Sequence, residues 1–301
     1  MSKRKSGQNV HGILLLDKRL GVSSNRALQE VRRLFDANKA GHTGSLDPLA
    51  TGLLPLCFGE ATKVSALMLD DNKRYQVTVQ LGVMTDTGDA EGVVLATKPV
   101  PELSETGIDQ CLQAFTGVIE QVPPMYSALK HNGKKLYELA REGKVVERKA
   151  RHITILELTL LGRLGHSLML DVLCTKGTYI RSLAEDIGHY LGCGATVTAL
   201  RRIQSGQFAV TDAWQIEQLQ AMSPEALADC LMPMDTPLKF MPALYLSAAQ
   251  SFCIQQGRRI DYAAAETGLV RLYHEQVFLG LGEMRNDAKL APKRLLGNHV
   301  L

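Results

Sequence analysis

The strictest pattern in the chain is Tyr75-Gln76-Val77-Thr78-Val79-Gln80-Leu81, where apolar and polar residues alternate without a break. A period of two places Tyr75, Val77, Val79 and Leu81 on one face of a strand. Leu168, Leu170, Val172 and Cys174 repeat the pattern, and residues 11–16 read as a short buried strand. Elsewhere the period changes to that of a helix. Ala27, Leu28, Val31, Leu34 and Phe35 recur at three-and-four spacing behind Ser23 or Ser24, either of which can cap a helix. Residues 61–69, an amphipathic stretch with Ile108, Cys111, Leu112 and Phe115, and a segment opening at Gly177-Thr178 are also helical in pattern. Interspersed strands and helices predict a mixed α and β fold, and periodicity specifies it no further.

Composition mostly excludes. A chain of 301 residues, 45% apolar and 22% charged, is ordinary globular material with room for about two domains. No apolar run approaches the ~18 residues of a spanning helix. Lys3-Arg4-Lys5 runs into polar Ser6-Gly7-Gln8-Asn9, so no secretory signal is visible. The six cysteines (57, 111, 174, 193, 230, 253) form no C-x-x-C pair, which fits reduced thiols in a cytoplasmic protein. The net charge of +3 conceals an uneven distribution. Residues 1–33 carry +6, 34–122 carry −7, 123–152 carry +5 and 153–301 carry −1. Residues 122–152 lack a clean period and contain Pro123-Pro124, Asn132-Gly133 and Gly143, as expected of an inserted, mobile basic segment. After about Leu246, short strands at 268–273 and 277–281 suggest a small β-rich domain.

Dinucleotide, nucleotide-triphosphate, zinc-protease and serine-hydrolase motifs are all missing. Asp86-Thr87-Gly88-Asp89-Ala90-Glu91-Gly92 lacks the acid spacing of a calcium loop and reads as a polar turn. The densest candidate is GHTGSLDPLATGLLP (41–55). Its glycines permit close ligand approach, and Asp47 before Pro48 is held away from the α region, fixing its carboxylate on a turn. An Asx-type turn that merely satisfies backbone amides explains the same residues. In Cys174-Thr175-Lys176-Gly177-Thr178-Tyr179-Ile180-Arg181, Arg181 can hold a carboxylate ionised or simply be solvated. Leu200-Arg201-Arg202 suits contact with a base and its phosphates, or an exposed helix end.

Taken together these segments resemble the TruB family of tRNA pseudouridine synthases. The resemblance rests on Asp17-Lys18…Gly21-Val22-Ser23-Ser24-Asn25, on the 41–55 block and on Lys73-Arg74-Tyr75. It continues through Pro124-Met125-Tyr126-Ser127-Ala128-Leu129-Lys130, residues 174–181, Leu200-Arg201-Arg202 and Met232-Pro233-Met234-Asp235. Where the family commonly has Pro after the first lysine, this chain has Arg19.

The resemblance implies an α+β fold: a mixed, mostly antiparallel sheet flanked by helices, plus a small C-terminal PUA-like domain. Residues 1–246 would be catalytic, with a basic RNA-contacting insert at about 123–152, and 247–301 would be the RNA-binding domain. The implied reaction turns uridine into pseudouridine at position fifty-five in the T-arm of tRNA, without cofactor or metal. Asp47 is the implied catalytic residue and Arg181 its partner. By the same resemblance Tyr75 would stack on the target base, with loss of the C5 proton as a further role open to it. Tyr179 and Leu200 would line the pocket, His42 would meet flipped-out nucleotides, and Lys18 and Lys130 would join the substrate contacts. The implied partner is tRNA, with no membrane and no obligate protein. A non-catalytic RNA-binding or RNA-folding protein is the rival from another class, and a synthase acting on other uridines is the rival within it.

Overall fold

A computed structural model of the chain describes residues 7–263 and 267–297. Lys3-Arg4-Lys5, part of the basic start, lies outside the described residues. The strands of the larger unit are β1 (Gly12–Lys18), β2 (Ala40–His42), β3 (Ala50–Phe58), β4 (Lys73–Leu81), β5 (Val83–Thr85), β6 (Val94–Thr97), β7 (Gly117–Gln121), β8 (Lys130–His131), β9 (Lys134–Lys135), β10 (Arg151–Leu164), β11 (Ser167–Cys174), β12 (Ala195–Ser205) and β13 (Phe208–Ala209). Its helices are α1 (Ser24–Leu34), α2 (Ser65–Leu69), α3 (Glu105–Ala114), α4 (Leu136–Arg141), α5 (Ile180–Tyr190), α6 (Ile216–Gln220) and α7 (Pro224–Asp229).

The main sheet runs β1-β3-β12-β4-β11-β10-β7, with β2 on β3 and β13 on β12. Only the β3–β12 pair is parallel; the other pairings are antiparallel. Residues 13–16 of β1 are apolar without a break because both faces of the strand are covered there. Leu14 and Leu16 join the core under α1, α3 and α5, while Ile13 and Leu15 pack on Leu53, Cys57 and Phe208 behind. Ser23 caps α1, its hydroxyl accepting from the Arg26 amide, and Ala27, Leu28 and Val31 turn inward. The β4 alternation holds: Val77, Val79 and Leu81 are buried and Gln76 faces solvent.

Sheet register brings the scattered motifs together. Gly52, Arg202, Tyr75 and Val172 form one row across β3, β12, β4 and β11, and Ala50, Leu200, Val77 and Leu170 form another. A Cβ on Gly52, whose φ is +100°, would lie 2.2 Å from the Arg202 carbonyl oxygen, so only glycine lets the two strands meet there.

Several sequence expectations need correction. Leu200-Arg201-Arg202 lies in the middle of β12, not at a helix end. The segment 41–48, a loop by its glycines and proline, begins within β2, and the rest of the 41–55 block runs into β3. The insert contains the β8–β9 hairpin and α4, and its last residues already belong to β10.

The smaller unit holds β14 (Ala243–Tyr245), α8 (Ala248–Gln255), β15 (Ile260–Asp261), β16 (Gly268–His274), β17 (Val277–Met284) and β18 (Lys289–Leu295), with strand order β14-β16-β17-β18-β15. It is the β-rich C-terminal unit expected, but β14 pairs with β16, so its sheet starts ahead of the 246/247 division. Val64, Leu238, Met241 and Leu281 seal it to the larger unit, where Lys63 Nζ donates to the Leu295 carbonyl over 2.9 Å.

Candidate active site

The turn bearing Asp47 is held from three sides. Ser24 of α1 donates to the Leu46 carbonyl at 2.9 Å and accepts from its amide at 2.6 Å. On the other flank, Lys18 donates to the carbonyls of Val22 (2.7 Å), Arg19 (2.9 Å) and Pro48 (3.5 Å). From β12, Arg202 donates to Leu53 (2.7 Å) and Gly44 (3.2 Å). Each such bond contributes about 1 kcal/mol net, more where the donor is charged. Together they fix one loop conformation that its three glycines alone would leave loose.

Arg181 meets Asp47 from the first turn of α5. Its Nη2 lies 2.9 Å from Asp47 Oδ2, with the arginine side chain 6% exposed and the aspartate 45%. The rest of the guanidinium is equally committed: Nη1 and Nη2 donate to the Thr87 and Tyr126 carbonyls, each at 2.7 Å, and Asp89 Oδ2 stands 3.5 Å from Nη1. The polar turn at 86–92 is therefore a brace for Arg181. Asp89 is buried, accepting from Thr87 Oγ1 and the Glu91 amide.

Burial pushes the Asp47 carboxyl above its usual value, Arg181 pulls it back most strongly, and Asp89 adds to the rise. Burial pushes Lys18 down to about 8, opposed by Asp47. His42 is lowered, by burial first and by Arg202 second, and its Nδ1 is a buried nitrogen without a partner. Burial raises both Tyr75 and Tyr179.

Asp47, Tyr75, Tyr179, Arg181 and Leu200 all line one cleft of about 330 Å³. Three predicted residues stand apart from it. His42, on β2, is not among the residues that line it. Lys18 is 1% exposed, with its ammonium spent on carbonyls, so it positions the Asp47 turn rather than presenting a free charge. Lys130 is exposed on the β8–β9 hairpin and lines a separate hollow with Arg148, Lys149 and Arg151. Arg19 pairs with Glu30 of α1 at 3.0 Å. The sequence offered Ser24 only as a helix cap and Arg202 as a contact to a base and its phosphates, whereas both brace the Asp47 turn. Asp89 had no signal beyond its polar turn. Among the described residues, no cluster of three or more His, Cys, Asp or Glu side chains could hold a metal ion. None of the helices there is long and apolar enough to cross a membrane.

Three family models match: TruB family pseudouridylate synthase (N-terminal domain) over 32–180, tRNA pseudouridylate synthase B C-terminal domain over 181–239, and pseudouridine synthase II TruB, C-terminal, over 242–296. A tRNA pseudouridine synthase B from Chromohalobacter salexigens is 54% identical, covering 100% of this chain and 99% of its own. The chain belongs to the TruB family.

That membership makes it a pseudouridine synthase, an isomerase. A second relative, the tRNA pseudouridine synthase B of Nitrosococcus oceani, is 50% identical over 98% of this chain and 97% of its own. Among solved structures, an H/ACA ribonucleoprotein bound to a substrate RNA containing 2′-deoxyuridine matches with a TM-score of 0.71 at 20% identity, covering 99% of this chain and 92% of that one. An archaeal box H/ACA Nop10–Cbf5 complex gives 0.70 at 21% identity, over 98% and 92%. At such identities the likeness speaks for the fold, and it agrees with the mixed sheet described above.

Proposed function

We propose that the protein isomerises uridine fifty-five in the T-arm of tRNA to pseudouridine, in the cytoplasm, with Asp47 as the catalytic carboxylate. The observation that carries this reading is the Asp47–Arg181 pair at 2.9 Å, on the wall of a cleft also lined by Tyr75, Tyr179 and Leu200. A base inside a folded loop reaches such a cleft only by flipping out of its stack. Tyr75 offers the flipped ring an aromatic face, and Leu200 an apolar one.

The N1–C1′ bond then breaks, uracil turns, and C5 bonds to C1′; the C5 proton is lost and N1 gains one. Asp47 acts at the sugar as nucleophile or base, and either role needs the ionised carboxylate that Arg181 favours. The names of the close relatives support tRNA as the substrate. The exposed lysines and arginines of the insert would grip phosphates, adding affinity but little sequence information.

A pure RNA binder has no use for an arginine committed at once to two carboxylates and two carbonyls. Asp47→Asn is expected to keep tRNA affinity and to abolish pseudouridine formation, read as tritium release from C5-labelled tRNA. Normal release by that variant would return the reading to the non-catalytic binder.

A further inference from the structure

We propose that Lys176 is a phosphate-binding residue at the mouth of the Asp47 cleft, held by Asp70 in the free protein and transferred to the RNA backbone when substrate enters. The inference rests on the reading of an RNA substrate, and it assigns a role to an ion pair outside the catalytic set.

The two residues sit on opposite lips of the cleft. One lip is the end of α2, where Leu69 lines the opening and Asp70 caps the helix. The other is the loop between β11 and α5, where Thr175, Lys176, Gly177 and Thr178 line the same opening. Lys176 Nζ reaches across to Asp70 Oδ1 at 2.7 Å, and the side chains stay 59% and 64% exposed. An ion pair this exposed adds between nothing and about 1 kcal/mol to stability, so the fold has little need of it. Its position decides what it can do, because Lys176 lines the cleft that holds Asp47.

The Asp70 lip is firmly based. Lys73 Nζ donates to the carbonyls of Leu69 (2.8 Å) and Asp71 (2.5 Å), so the neighbouring lysine is occupied and does not compete for the Asp70 carboxylate. On the Lys176 lip, the amides of Lys176, Gly177 and Thr178 donate to no protein acceptor among the described residues. A phosphodiester at this mouth would meet one ammonium and unpaired N–H groups. Lys176 would then exchange a carboxylate partner for a phosphate one, and the link between the lips would open as the nucleotide passes.

The test is tRNA binding as a function of salt, with the full-length protein and three variants. Lys176→Met is expected to weaken binding about tenfold and to lower the slope of log affinity against log salt by about one. Asp70→Asn is expected to tighten binding two- to fivefold. In the double variant the Asp70→Asn gain should disappear. An unchanged salt slope in Lys176→Met overturns the proposal. So does a gain that survives in the double variant, since Asp70 would then act by repulsion alone. Binding is read without turnover, so wild-type protein that binds tRNA but forms no pseudouridine refutes the proposed function and leaves this exchange standing.

Discussion

Arg181 is the most informative residue to perturb, because its charge and its geometry can be separated. Arg181→Met removes the charge and leaves a side chain of similar length. Asp47 then loses the strongest influence holding its carboxyl down against burial. Two unit charges about 4 Å apart interact by about 4 kcal/mol at an effective dielectric of 20. With 45% of the Asp47 side chain exposed, solvent screening leaves roughly a third of that. About 1.4 kcal/mol corresponds to about one pKa unit. A carboxylate without its cation holds its proton to higher pH, so the acid limb of the rate profile should move up by about one unit. The plateau should fall about 100-fold as the aimed carboxylate loses its anchor. Arg181→Lys keeps the charge but not the fork that serves Asp47, Thr87 and Tyr126, so its limb should stay in place while its plateau falls. The assay is single-turnover pseudouridine formation on a tRNA transcript across about pH 5 to 9, with thermal unfolding confirming folded variants. An acid limb at the wild-type pH in Arg181→Met refutes the electrostatic role given to the pair.

Gly52→Ala should destabilise the protein by about 3 kcal/mol or more, since it combines a strained φ with a backbone clash against Arg202; a wild-type melting temperature would contradict this. Lys18, pushed down to about 8 from 10.5, sheds its proton in the folded chain before the unfolded one does. Stability should therefore climb between those pH values by up to about 3 kcal/mol. Lys18→Met should lack that climb in urea unfolding, and an unaltered pH slope would count against it. Arg202→Met strips the Leu53 and Gly44 carbonyls of their donor. It should cost about 3 kcal/mol and let the His42 pKa rise, seen by NMR titration; an unmoved His42 rules out their coupling.

What was legible in the sequence followed from local physics. β4 alternates because its helix-covered face and its solvent face differ, and α1 announces itself by the Ser23 cap and the Ala27–Leu28–Val31 stripe. Strands whose register slips were not legible. β12 shifts between Val197 and Ala199 and again between Arg202 and Gln204, which breaks the period of two. β10 does the same near Ile155 and Leu160 while exposing Leu156, Leu161 and Leu164, so its apolar residues do not mark one buried face. The pairing of Asp47 with Arg181, expected from their motifs, stands at 2.9 Å, but Asp89 had no such signal. Its partner lies 92 positions away, and only the packing of the 86–92 turn against α5 brings them together. Lys18 carries the opposite lesson: a lysine in a functional motif can be spent on the backbone, where burial and carbonyl partners leave it no free charge.

If Asp47, held by Arg181, is the catalytic carboxylate, the chain isomerises one uridine of tRNA and does so only with that carboxylate in place. Nucleotide-resolution mapping of pseudouridine in a tRNA transcript, incubated with the protein or with its Asp47→Asn variant, tests it most directly. Modification of uridine fifty-five by the protein and none by the variant is the expected result. A mark at a different uridine, or the same mark left by Asp47→Asn, would contradict it.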